Sequence, residues 1–560
     1  MENITNKIQD SDLVYVRPNL AIEALIDGWY AWAHLVSPAT AALNIRGRHL
    51  KIMNSYIQNP AIHAAAVKSP KMLGGPFIDY DGKRVDEIEA LRDNTLEECA
   101  DLLQLCEDLD TLNDLLKEQD GHALTSVYPK VPENLRGLIE LYYDLNNNAS
   151  FRFFEPLLYK SKYYNESLQS FNLFLVHDDD SRSFVLSTPK LPDADTLHFD
   201  LPFKSRKIEE LFSMTDVARP YHEIRDILNI QPEQEALFQS FLTTEAPSSY
   251  EPYDGDGVLT RYFGHAAILV ETRKTSILVD PVISYGYDAD VSRYTFSDLP
   301  EEIDYVLFTH NHQDHILFET LLRIRHKIKN IIVPKCNGGG LQDPSLKFMF
   351  ERVGFNNIIE LGEMETLDFE DCSIIGLPFM GEHCDLDIRS KLCHMVQFKN
   401  DGYKMIFAAD SCNVEPRLYE RIYDEVGDID ILFLGMECEG APCSWLYGPI
   451  LPDTLDREKD QSRRLAGCDF EQSRSLIDLF NPSSVFVYAM GMEPWLKYIS
   501  SIKYTDESKP IVESDRLLEY CRSRGIDPER LFGEKIIEHK GLPVPEIQQN
   551  QVSDANRKVA

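Results

Sequence analysis

The sequence is short of positive charge. Lys and Arg number 56 against 92 Asp and Glu, a net charge of −36 at pH 7 with a sequence pI near 4.8. A field of that sign repels polyanions, so nucleic acid and anionic membrane surfaces are excluded as partners. No apolar run approaches the roughly 20 residues needed to cross a bilayer. The opening MENITNKIQDSD has neither the basic n-region nor the apolar h-region of a signal peptide. Eleven cysteines form no C-x-x-C pair, and an odd number of that kind reads as reduced thiols of a cytoplasmic protein, not as a disulfide frame. Nucleotide fingerprints are missing too. CNGGGLQDP (336–344) is glycine-rich but lacks the G-K-[ST] of a phosphate loop, so it reads as a turn, and no flavin or nicotinamide signature occurs.

What is present is enough for two or more cores. A 560-residue chain with 43% hydrophobic residues exceeds one ordinary domain. Residues 1–245 are largely helical in pattern. In VDEIEALRDNTLEECADLLQLCEDLDTLNDLLKEQD (85–120) apolar residues recur at helical spacing opposite an acidic, solvated face. FRFFEPLLY (151–159) and SLQSFNLFLVHDDDSRSFVLSTP (167–189) are strand-like, which makes this region mixed. TTEAPSSYEPYDGDG (243–257) has the Pro, Ser, Gly and Asp content of a linker. Beyond it come short β runs: AAILVE, TSILVD, YVLFT, NIIVP, HMVQF, KMIFAAD, ILFLG and VFVYAM, with helical segments at 316–328 and 414–426. Strands with interspersed helices predict an α/β layered sheet with helices outside. The final residues, 546–560, read as a flexible tail.

The chemistry concentrates in FTHNHQDHILFE (308–319). His310, His312 and Asp314 are spaced i, i+2, i+4 directly after an apolar strand. Extended backbone would aim all three to one side. His315 is offset by one and leans to a neighbouring point, so the set suits two adjacent metal ions better than one. LPFMGEHCDLD adds Glu382 and His383, and KMIFAADSCN places Asp410 at a strand end, where a carboxylate can bridge two metals.

THNHQDH, with GHAAILVETRKTSILVDPVIS upstream and Asp410 downstream, resembles the metallo-β-lactamase superfamily over residues 255–540. GEHCDL, FAADSCN and VYAMGMEPWL resemble more closely the diiron β-hydroxylases represented in chloramphenicol biosynthesis. The resemblance implies a C-terminal αββα sandwich (246–545) behind a dedicated N-terminal domain (1–245) for oligomerisation and substrate docking. It also implies two iron ions, O2 as co-substrate, and an aminoacyl thioester on a nonribosomal peptide synthetase carrier domain as substrate. Electrons would come from an external reductase or ferredoxin-type donor, and the assembly would be a homodimer.

Two metals remain open on the residues alone. On extended backbone Glu382 and His383 face opposite ways, so only one reaches the site. Glu382 would make three histidines and three carboxylates, a hard donor set suited to iron. His383 would tilt the site toward zinc and hydrolysis of an ester, lactone or phosphodiester. The resemblance implies Glu382, with His310, His312 and Glu382 on one iron, Asp314 and His315 on the other, Asp410 bridging, and Glu382 and Asp410 as catalytic carboxylates. The late strand VFVYAMGMEPW also lacks the histidine that hydrolases of the superfamily place there. His265, after a glycine at a strand start, is expected in the core, with a place near the site as the alternative; Glu493 is expected beside the pocket and outside the ligand set, Trp445 as a wall of the pocket or a packed loop residue. RGRHLK (46–51) is a candidate basic docking patch in an otherwise acidic chain.

Overall fold

The computed structural model describes residues 8–248 and 250–540; the expected tail at 546–560 lies outside them. Two seven-stranded sheets make the sandwich. The first runs, edge to edge, Ile358–Leu361, Ile328–Pro334, Ile303–Leu307, Ser276–Val279, Ile268–Glu271, Val258–Tyr262, Lys535–His539. The second runs Thr366–Asp368, Cys372–Pro378, Leu392–Phe398, Lys404–Phe407, Ile431–Gly435, Ser484–Tyr488, Asp527–Arg530. All eight β runs expected from the sequence are strands. Their near-continuous apolar character has a simple cause: both faces are buried. Along Ile431–Gly435, Ile431 and Phe433 join the core between the sheets, whereas Leu432 and Leu434 join the core under the outer helices. In Ser276–Val279 the same alternation sends Ile277 and Val279 inward and Leu278 outward. Helices Pro416–Val426, Phe470–Phe480 and Lys509–Ser523 supply the cover of the second sheet.

The N-terminal region adds a four-stranded antiparallel sheet, ordered Trp29–Tyr30, Leu20–Ile26, Gln169–Leu175, Leu197–Phe199, and a helical layer. The acidic 85–120 segment is two helices, Val85–Glu98 and Ala100–Lys117. Leu102, Leu105, Leu109, Leu112 and Leu116 of the second point inward.

One apolar core runs without a break from Val14 through the N-terminal sheet to Phe318, Leu321 and Leu322 of helix Phe318–Ile324 on the sandwich. A buried ionic network crosses the same seam. Arg182 donates to Glu23 Oε1 (2.6 Å) and to both oxygens of Glu319 (2.9 and 2.7 Å). Glu319 also accepts the hydroxyls of Tyr30, Tyr285 and Tyr498 at 2.7, 3.0 and 2.9 Å. Burial would push the Glu23 carboxyl up, but Lys190 and Arg182 beside it hold it below its ordinary value. Removing one partner of such a buried set leaves the other charges uncompensated, at a cost of about 3–5 kcal/mol. Arg182→Met is therefore expected to lower the thermal midpoint by several degrees, whereas Lys68→Met, at an exposed pair with Asp81, should leave it unchanged. Calorimetry of both variants checks this.

Candidate metal centre

The site forms where strands of both sheets end on one rim. His310 to His315 follow strand Ile303–Leu307, Asp280 follows Ser276–Val279, Glu382 follows Cys372–Pro378, Asp410 follows Lys404–Phe407, and Glu437 follows Ile431–Gly435. The backbone pays conformational strain here. Asp280, Glu382 and Ala409 adopt left-handed φ of 40°, 62° and 45°, a conformation costing on the order of 1 kcal/mol or more for a non-glycine residue and common at functional sites.

The six residues anticipated as ligands are brought together. One triad of ligand atoms is His310, His312 and Glu382; a second is His310, His315 and Asp410; a third is His265, Asp314 and His315. Within each triad all atoms lie within 4.8 Å of one another. His312 Nδ1 is 2.7 Å from Glu382 Oε1, and His315 Nε2 is 3.0 Å from Asp410 Oδ2. The route differs from the expected one. Residues 312–316 turn, with the amides of His315 and Ile316 bonded to the His312 carbonyl, so a loop and not an extended strand aims the side chains. Glu382 likewise sits in a turn, so strand alternation is not what separates it from His383. Instead the His383 ring lies against His312 (centroids 4.6 Å apart, 28° between planes), and His383 belongs to none of the three triads.

Proton positions follow from the partners. Asp280, fully buried, accepts from the Thr309 amide (2.8 Å), the Thr309 hydroxyl (2.6 Å) and His315 Nδ1 (2.9 Å). The Thr309 hydroxyl proton is thereby committed, so its oxygen accepts from His310 Nδ1 at 3.0 Å. Both histidines thus commit Nδ1 and turn Nε2 to the site; His315 Nε2 meets Asp410 Oδ2 at 3.0 Å here, and a metal ion between them would take the place of its proton. His265 is the opposite case. Its Nδ1 accepts the Gly491 amide (3.2 Å), which puts its proton on Nε2, 3.4 Å from Asp314 Oδ2. His265 Nε2 thus faces Asp314 but, at this distance, makes no hydrogen bond to it. It is buried, as expected, but as part of the site and not of the apolar core.

The residues fit metal ions. His310 Nε2, Glu382 Oε2 and Asp410 Oδ1 are buried without a hydrogen-bond partner, which an apolar interior does not tolerate. Burial and the neighbouring imidazoles of His315, His312 and His383 hold His310 well below its ordinary value, neutral and able to ligate. For Asp314 burial raises the carboxyl, but the neighbouring imidazoles of His265, His315 and His312 outweigh it and hold it below the usual range. Glu382 is pushed up by burial and by Asp410 and Asp314, against the pull of His312. Glu437, half-buried and missed in the sequence, is raised well above its ordinary value by burial and by Asp410, Asp314 and Glu382. Carboxylates crowded this closely are relieved by cations between them.

Comparison with known proteins bears on the same residues. A family described as diiron non-heme beta-hydroxylase N-terminal domain matches residues 15–247, and one described as beta-lactamase superfamily domain matches 275–440. The 4-amino-L-phenylalanyl-[CmlP-peptidyl-carrier-protein] 3-hydroxylase of Streptomyces venezuelae is 39% identical over 526 residues, 92% of this chain and 98% of that protein. This chain belongs to the diiron β-hydroxylase family. The crystal structure of CmlA, a diiron β-hydroxylase from Streptomyces venezuelae, superposes with a TM-score of 0.87 at 37% identity, covering 94% of this chain and 100% of that one. Likeness to hydrolases is local: a metal-dependent hydrolase of Rhizobium johnstonii is 40% identical over 55 residues, 10% of this chain and 23% of that protein. The family's iron cofactor agrees with the carboxylate-rich rim.

The other sequence candidates separate clearly. Glu493 is buried and bonds Tyr262, and it belongs to none of the three triads. Trp445 stands in helix Cys443–Tyr447, two residues before Tyr447, whose hydroxyl meets His312 Nε2 at 2.8 Å. RGRHLK is no open basic patch: Arg48 and His49 are buried and Arg46 pairs with Asp110.

Glu382→Ala should lose at least one metal ion per chain, whereas His383→Ala should keep both, as read by elemental analysis of purified protein. Asp280→Asn removes the acceptor that fixes two ligand rings and should weaken metal binding about 10- to 100-fold, measured by chelator competition.

Proposed function

We propose that this chain is an O2-dependent non-haem diiron monooxygenase. It hydroxylates the β-carbon of an aminoacyl group held as a thioester on a nonribosomal peptide synthetase carrier domain. The observation that carries this reading is 39% identity across 98% of a hydroxylase that acts on a carrier-bound aminoacyl group. In it, His310, His312 and Glu382 would hold one iron and Asp314 and His315 the other, with Asp410 available to both. When bound, the iron pair supplies O2 activation with electrons from an external reductase or ferredoxin-type donor. The chain's own residues do the positioning. Asp280 and Thr309 fix the Nδ1 sides of His310 and His315, and Tyr447 fixes the His312 ring.

Residues up to about 245 serve, in this reading, for substrate docking and for assembly into a homodimer, ahead of an oxygenase domain from 246. His34 supports a direct part in the site: this N-terminal side chain lies edge-on to Tyr447, ring centroids 6.2 Å apart. The dizinc hydrolase reading is disfavoured, because strand Ser484–Tyr488 ends in Ala489 and Met490 with no histidine ligand.

Protein purified without added metal should carry about two irons per chain. With reductant and O2 it should add 16 Da to an aminoacyl-carrier protein, read by mass spectrometry, and leave the free amino acid untouched. Stoichiometric zinc with zinc-restored activity, or equal turnover of the free amino acid, would sink the proposal.

A further inference from the structure

The N-terminal region and the sandwich line a half-open cavity of about 570 Å³ whose walls include Arg48, Lys51, Phe77, Phe184, Trp445 and Leu455. That volume falls in the roughly 300–1,000 Å³ range of ligand pockets. Helix Cys443–Tyr447 borders both the cavity and the metal centre: Trp445 lines the cavity, and Tyr447 reaches His312.

Arg48 is the unusual member. It lies in the π-helical turn Ile45–His49, a kind of turn found often at functional sites. Its side chain is 9% exposed. Nη2 donates to the carbonyls of Trp445 (2.6 Å) and Leu446 (3.0 Å), while Nη1 is buried without a partner. Among the described residues no carboxylate pairs with it, and burial alone lowers it to about 10. Beyond those carbonyls the guanidinium has only the Trp32 ring, 6.0 Å away, and a buried cation without a counter-charge is costly unless an anion joins it. Lys51, one turn on, adds an exposed ammonium to the same wall with no ion pair of its own among the described residues. In a chain of net charge −36, two unpaired cations on one cavity wall are a local exception with a chemical meaning. A phosphate ester matches the guanidinium fork and the second cation, and an extended apolar chain matches the aromatic remainder.

We infer that this cavity receives the phosphopantetheine arm of the carrier domain, its phosphate between Arg48 and Lys51 and its chain along Phe184 and Trp445. The inference rests on the proposed action on carrier-tethered substrates and assigns the subsite that reads the tether. No bond forms or breaks there; the cavity binds and orients.

The test uses the metal-loaded full chain and free 4′-phosphopantetheine as the probe, with binding followed by calorimetry. Phosphopantetheine should bind at least tenfold more tightly than pantetheine without its phosphate. Lys51→Glu should erase that difference, as should Arg48→Gln, without changing metal content. With loaded carrier, Lys51→Glu should raise KM at least fivefold and leave kcat within twofold. Equal binding of the two probes, or a phosphate preference untouched by Lys51→Glu, would overturn the inference even if hydroxylation proceeds. Because Lys51 is exposed, that variant avoids the disturbance Arg48→Gln brings to the carbonyls of Trp445 and Leu446. A phosphate preference with no turnover of any loaded carrier would uphold the subsite and remove the hydroxylase reading.

Discussion

The metal centre depends on one buried carboxylate. Asp280 collects the Thr309 amide, the Thr309 hydroxyl and His315 Nδ1. With these three bonds it sets the path of the ligand loop and fixes the Nδ1 sides of two of its histidines. A second tie works from the other sheet, where His394 Nε2 donates to the Phe308 carbonyl at 2.8 Å and the Leu392 amide to Thr309 O at 2.7 Å. The loop is thus clamped between both halves of the sandwich. A ligand set held this way keeps its donor atoms aimed inward without relying on the metal to order it, which is the preorganisation metal sites need.

The same segment that ends the ligand loop begins the interdomain seam. Four residues beyond His315, Glu319 accepts Arg182 and three tyrosine hydroxyls. The N-terminal region is therefore wired to the helix that follows the ligands, and through His34 and Tyr447 it approaches His312 as well. Movement of the N-terminal region cannot be independent of the metal centre, because the two share a buried charge network and one apolar core. This is a physical basis for coupling what docks on one region to chemistry in the other.

Much of the sandwich was legible because its strands are buried on both faces. Eight apolar runs marked eight strands, and turn-rich stretches marked their ends. The strands left unread have mixed or polar patterns, such as Thr366–Asp368 and Asp527–Arg530 at the sheet edge, where one face meets water. The ligand types were legible because four metal-binding side chains in six residues have little structural use otherwise. Their geometry was not. The sequence suggests alternation along an extended segment, whereas turns at 312–316 and a left-handed Glu382 do the aiming. Asp280 carried a usable signal, since SILVD ends an apolar strand with an aspartate just as IFAAD does at Asp410. His265 carried only a weak one, its place after a glycine at a strand start, because its orientation is set by an amide of Gly491 more than 200 residues away. RGRHLK misled for a related reason: basic letters do not say that a π-helical turn folds Arg48 inward.

The identity of the metals turns on donor hardness and on charge, and the two agree. Asp314, Glu382, Asp410 and Glu437 converge on a rim with three imidazole donors. Burial first, and the neighbouring carboxylates after it, push Glu382 and Glu437 up, so cations between them would relieve the site. A hydrolytic dizinc site of this fold spreads its charge differently, with histidine at the late strand and a metal-bound water as nucleophile. Here the late strand ends in Ala489 and Met490, and the nearby carboxylate, Glu493, is bound to Tyr262. The oxygen donors instead gather where two ions would share Asp410. Hard anionic donors stabilise the higher oxidation states of iron, so the arrangement that raises these carboxyls also favours a redox-active pair over a purely Lewis-acidic one.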